Sequence, residues 1–129
     1  MASQMSTYLQ NAVVNVSLRN TAYTAPTTVY VGLFTTTLTA AGTGTEVSGG
    51  SYARTAVTLS APSSGATSNS ANVVFPTATA SWGTVTYMGI YDAATSGNLL
   101  YFSPLTNSKT IDIGDVFQFS TANINVSLA

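Results

Sequence analysis

The chain has 129 residues, no cysteine, no histidine, and only three Lys or Arg against four Asp or Glu. That length suffices for one domain whose core needs no disulfide or metal. The missing His and Cys exclude the usual general base, thiol nucleophiles, zinc fingers, haem attachment and iron–sulfur ligation, and three cations make no electrostatic footprint for nucleic acid.

Charged residues make up 5% of the chain, against about a quarter in ordinary soluble domains. A net charge of -1 with 45% hydrophobic residues does not fit disorder. Such a surface of Ser, Thr, Asn and Ala has little colloidal repulsion and suits a protein that works within an assembly. The opening "MASQMSTYLQNAVVNVSLRN" has no basic n-region and no continuous apolar run, so it is not read as a signal peptide. No stretch approaches the roughly 18 apolar residues of a membrane span. Zero cysteine suits any compartment.

The first element is a helix over about 5–19. Met5, Tyr8, Leu9, Ala12, Val13 and Val16 form one stripe at a 3.6 period, Ser6 or Ser3 can cap its start, and Arg19-Asn20 suit its end. From "TVYVGLFT" onward the period is two. Val29, Val31 and Leu33 share one face there and Tyr30 and Phe34 the other, which predicts a strand covered on both sides. "TAAGTGTEVSGGS" reads as a glycine loop, "YARTAVTL" as a strand, "SAPSSGATSNS" as a connector and "ANVVF" as a short strand. Residues 84–91 form another strand, followed by the turn "DAATSGN" and by "NLLYFSPL", a strand that Pro104 is expected to end. "TNSKTIDIGDVFQF" gives two short strands about Gly114, and "ANINVSLA" turns Ile124, Val126 and Leu128 inward. The pattern predicts an all-β fold: one domain over 1–129, an antiparallel β-sandwich of jelly-roll or Ig-like type. It has about eight strands between 27 and 128 and one N-terminal amphipathic helix.

No constellation of these residues points to chemistry. Asp112 and Asp115 flank a turn, a position chosen for geometry, and two acids fall short of a calcium site. "AGTGTE" lacks the lysine and the helix of a phosphate loop. The two "NVS" sequons, at Asn15 and Asn125, are accidental without a secretion signal. No catalytic residue, cofactor or metal is expected. Arg54 follows the loop that carries Glu46 and lies beside Tyr52; it can lock that loop as an ion pair, stack on an aromatic ring, or contact a neighbouring subunit. Trp82, the single tryptophan, stands among Ala80, Ser81, Gly83 and Thr84. Packing over the end of the sandwich, with the indole N–H on a carbonyl, suits it better than a sugar platform.

Three stretches, "LRNTAYTAPTTVYVGLFT", "AGTGTEVSGGSYAR" and "FPTATASWGTVTYMGIYDAATSGNLLY", together resemble small virion structural proteins of tailed bacteriophages. These are often described as tail fibre proteins, and comparable small β-domains serve as capsid cement or decoration subunits. The resemblance spans about 8–128 and implies no enzyme activity and no catalytic residues. It implies a β-rich subunit, made in the host cytoplasm, that works by repetition on the outer surface of the particle. With no heptad or fibrous repeat, a compact chain is expected to be a capsid cement or decoration protein. It would bind between copies of the major capsid protein and self-associate as a dimer or trimer. The expected contact elements are the helix, through Tyr8, Leu9 and Val13, and the glycine loop 40–51; the helix can equally well cover one face of the sandwich. The alternative is a tail fibre or tail-tip component partnered by tail proteins, or a glycan-binding module in which Trp82 and nearby tyrosines stack on sugars. No membrane or nucleic-acid partner is expected.

Overall fold

The structure is a computed structural model that describes residues 3–128. Met1, Ala2 and Ala129, the ends of the domain expected over 1–129, lie outside the described residues. The elements in chain order are β1 (Gln4–Met5), α1 (Thr7–Leu18), β2 (Val29–Phe34), β3 (Thr55–Val57) and β4 (Ala66–Ser68). There follow β5 (Val73–Val74), β6 (Gly83–Tyr91), β7 (Leu99–Ile111), β8 (Gln118–Phe119) and β9 (Asn125–Ser127). A five-stranded antiparallel sheet runs in the order β1-β7-β6-β2-β3, and two small ribbons, β4–β9 and β5–β8, accompany it. This is the expected all-β, sandwich-like fold with one helix.

The two-residue period explains why the main sheet is covered on both faces. Val31 and Leu33 of β2 and Val85, Met88 and Ile90 of β6 pack on one face against Val73, Phe75, Phe117, Phe119, Ile124 and Val126, which the ribbons and their flanks supply. Phe34, Leu38, Tyr91, Leu99 and Phe102 form a smaller cluster on the other. Removing apolar surface on both sides is the main stabilising term, at roughly 25 cal/mol per Å² buried.

Several expectations are corrected. The helix starts at Thr7 rather than about 5, because the buried Ser6 hydroxyl accepts the Leu9 N–H and ends the preceding extended segment. Met5 therefore lies in β1, paired with Tyr101. Of the predicted stripe only Leu9 is buried; Ala12 and Val13 are half-buried, and Tyr8 and Val16 are exposed. Eight strands, β2–β9, lie between 27 and 128 as expected, but their makeup differs: "NLLYFSPL" and "TNSKTI" merge into β7, and "SAPSSGATSNS" is more than a connector, since it contains β4, which pairs with β9. Its backbone partners are remote in sequence and its side chains are small and polar, so no local period marks it. The strand over "YARTAVTL" contracts to β3, since Tyr52 and Arg54 are used elsewhere. Pro104 does not end its strand. Among the described residues β7 has no neighbour on its outer side from Ser103 onward, β1 reaching only Tyr101 and Phe102, and proline is tolerated on such an edge. Leu128, expected inward, is exposed, whereas Ile124 and Val126 are buried.

Candidate interaction sites

Gly32 of β2 is where the densest polar cluster begins. A Cβ there would lie 2.9 Å from Glu46 Oε2 and 3.3 Å from the Tyr52 hydroxyl, so only glycine leaves room for what packs over it. In that space Arg54 donates from Nε to Glu46 Oε2 and from Nη2 to Oε1, both at 2.9 Å. Its Nη1 donates to the carbonyls of Ala93 at 3.1 Å and Ser96 at 2.7 Å. The guanidinium lies 3.7 Å above the centre of the Tyr91 ring, which is itself stacked on Phe34. Tyr52 completes the cluster: its hydroxyl donates to Glu46 Oε2 at 2.6 Å and accepts the Leu33 N–H at 2.9 Å. Arg54 thus closes the 46–54 loop through a bidentate, charge-assisted pair with Glu46 and ties it to the 92–98 turn through the two carbonyls.

The electrostatics follow from this packing. Burial opposes the charge on Arg54, but the Glu46 hydrogen bond and charge outweigh it and hold the guanidinium's proton more tightly than usual. Burial, then the hydrogen bond to Glu46, pushes the Tyr52 hydroxyl well above the ordinary tyrosine range. Burial also raises Tyr91, against the opposing pull of Arg54. The cluster is a fastening: its carboxylate, hydroxyl and two carbonyls are taken up by Arg54, Tyr52 and the Leu33 N–H.

Trp82 is buried, with its indole N–H on the Gly50 carbonyl at 2.9 Å and its ring edge-on to Tyr52 at 5.4 Å. Gly50 adopts φ +58, and a Cβ there would come within 2.9 Å of the indole nitrogen. Trp82 thus packs with its indole N–H on a carbonyl, as its sequence setting suggested, and a ring so enclosed has no face left for the alternative of stacking on a sugar. The remaining acids are dispersed. Asp115 accepts the Asp112 N–H across a turn, and Asp92 accepts from the backbone and side chain of Asn98.

The helix and the glycine loop, expected to contact neighbouring subunits, touch each other within the chain: Thr7 N–H donates to Ala40 O at 2.9 Å. Leu9 packs inward, while Tyr8, Val14, Val16 and Leu18 are 42, 50, 50 and 80% exposed. Thr7–Leu18 contains no charged residue, so α1 presents a neutral, partly apolar surface. No helix among the described residues is long and apolar enough to cross a membrane.

Residues 4–127 match the model of a family described as podophage GP4 fiber I protein gp80. The chain belongs to this family. No curated protein gives a significant match. The fibre I family is one of phage virion structural proteins, in agreement with the resemblance seen in the sequence.

Three parts of this fibre I chain's surface and clasp escaped sequence reasoning. Val14 and Leu18 lie off the helical stripe and show only once the packing of α1 is known. The carbonyls of Ala93 and Ser96 come from a turn whose glycine signal was legible, but whose long-range partner was not. Tyr91 ends the strand expected over 84–91, and nothing in its spacing shows the guanidinium above it.

Proposed function

We propose that the chain is a structural subunit of a podophage tail fibre, acting by binding without turnover and joined to a second copy of itself through the outer face of α1. The observation that carries this is the exposure of Tyr8, Val14, Val16 and Leu18 on a helix without a single charge. Water gains nothing from such a face, whereas covering each of these side chains stabilises a complex by on the order of 1 kcal/mol. A copy of this chain is a fitting occupant because its own surface is just as poor in charge, so no ion is stranded on docking. Repetition along a fibre multiplies contacts that are individually weak.

A capsid cement or decoration role would draw on the same face, with the major capsid protein as partner. The family description favours the fibre. Sedimentation of the purified chain tests the helix: Val16→Asp with Leu18→Asp should shift a concentration-dependent oligomer to monomer and leave the unfolding midpoint unchanged. A wild-type chain that stays monomeric at high concentration, or a variant that associates as before, removes α1 as the interface. Cryo-electron microscopy of the particle reads the location separately, and density for the chain on the head would replace the fibre by the cement reading.

A further inference from the structure

The long strand β7 is interrupted opposite Thr86 of β6. Between the pairs Tyr87–Pro104 and Val85–Lys109, the residues from Leu105 to Ser108 stand against the single Thr86. Bulges of this kind re-aim side chains and are common beside binding sites. Here the extra backbone carries Asn107 and Lys109 to one wall of a cleft of about 330 Å³, with Gln118 of β8 and Asn123 and Asn125 on the other side. That volume lies at the lower end of the small-ligand range of roughly 300–1,000 Å³. The floor is Phe117 and Phe119, packed edge to face at 5.1 Å and largely buried, so it is apolar and rigid.

The polar walls are uncommitted. Among the described residues, the side chains of Asn107, Lys109, Gln118 and Asn123 bond to no other protein atom, and Asn125 uses only its Nδ2, toward Ala122 O. The contrast with Asn69 is direct: its amide donates to the carbonyls of Ala71 and Ser120 and accepts the Ile124 N–H. The ion pair found among the described residues is Arg54–Glu46, so Lys109 faces the cleft without a carboxylate. Around Arg54, by contrast, Glu46, Tyr52 and the Ala93 and Ser96 carbonyls are held in mutual hydrogen bonds.

These side chains specify a class of ligand. A side-chain amide presents donors and an acceptor together, which matches hydroxyl groups that both give and accept. Several neutral amides and one ammonium suit a polyhydroxylated molecule with a single acid group, and a polyanion would need more cations than one. We propose that this cleft binds an oligosaccharide bearing a carboxylate, its hydroxyls on the amides and its acid on Lys109. The site belongs to the isolated subunit and does not depend on where the subunit sits in the particle.

The test is a titration of the purified full chain, followed by amide NMR shifts and calorimetry. Two probes with one carboxylate each, an aldotriouronic acid and sialyllactose, are compared with a neutral malto-oligosaccharide and inorganic phosphate. Saturable binding of at least one acidic probe is expected, with shifts confined to residues 104–109 and 117–125. Lys109→Gln should weaken it about tenfold through loss of a charge-assisted bond, and Asn123→Ala should weaken it too. Both residues are exposed, so unchanged unfolding midpoints verify the fold, and Asn107→Ala supplies a further variant. The proposal fails if neither acidic probe binds at millimolar concentration, or if the shifts map elsewhere. It fails equally if the neutral sugar or phosphate binds as tightly, or if the variants bind like the parent.

Discussion

Replacing Glu46 with alanine should cost the fold about 3 kcal/mol. The carboxylate receives Arg54 Nε and Nη2 at 2.9 Å and the Tyr52 hydroxyl at 2.6 Å, and the Arg54 side chain is only 8% exposed. Removing one member of a buried pair costs about 3–5 kcal/mol, because the other charge is left behind uncompensated. The lower end applies here for two reasons. Glu46 is 25% exposed, so water can enter the vacated space, and Arg54 keeps two carbonyls and the Tyr91 ring. Against a total stability of about 5–15 kcal/mol, the loss should lower the thermal midpoint by on the order of 10 °C. Urea unfolding followed by Trp82 fluorescence measures it, with an unchanged slope confirming that the unfolded state is not the cause. The cycle is closed with Arg54→Met. Once the charge is gone, the carboxylate has little left to compensate, so the double variant should be more stable than the sum of the singles by at least about 1 kcal/mol. A single loss below about 1 kcal/mol, typical of a solvent-exposed pair, would refute the reasoning. So would additivity within roughly 0.5 kcal/mol.

Alkaline pH should loosen the same region. Tyr52 and Tyr91 hold their protons above the ordinary value of 10.0, both chiefly through burial. Their contribution is therefore complete below about pH 10 and is lost as pH rises toward the folded values, by up to about 1.4 kcal/mol per pH unit for each group. Unfolding measured from pH 9 to about 11.5 should show this decline, and Tyr52→Phe should make it shallower; a flat profile would contradict the assigned burial. At the tryptophan, Gly50→Ala forces a left-handed alanine whose Cβ would lie 2.9 Å from the indole nitrogen and 3.0 Å from Ala80 O, at a cost of about 2–3 kcal/mol. Gly49→Ala, also left-handed at φ +75 but with no atom within 4 Å of the new Cβ, should cost only about 1 kcal/mol, and equal losses in urea would show that the contact with Trp82 does not matter.

Much of the architecture was legible because it is written in local periods. The alternation of Val31 and Leu33 with Phe34 foretold a sheet buried on both faces, and Ser6 and Asn20 marked the two ends of α1, with Asn20 at φ 54. The failures share a cause. β4, the passage of β7 through Pro104 and the exposure of Leu128 all depend on which strand lies beside which, and neighbours in space leave no trace in a two-residue pattern. The clasp divides along the same line. A short stretch of chain from Glu46 to Arg54 made their proximity readable, whereas the Ala93 and Ser96 carbonyls arrive from a turn some forty residues further on. The cleft beside β7 was invisible for the same reason, its walls being assembled from a bulge and a distant C-terminal segment.

How a protein with so few charges avoids uncontrolled stacking can be argued from its sheet edges. Unpaired strand edges are templates for aggregation, and charge on the edge is a common defence. Here the terminal strands β1 and β3 are only two and three residues long, too short to recruit a partner strand. Among the described residues the long open edge of the main sheet, β7 beyond Phe102, is broken by Pro104, by the bulge from Leu105 to Ser108, and by Lys109. One lysine, one proline and one bulge thus do on this edge what a dense surface charge does elsewhere. With backbone pairing blocked, the contact proposed for α1 would be made by side chains, whose fit limits the partner and the geometry in a way that a bare strand edge does not.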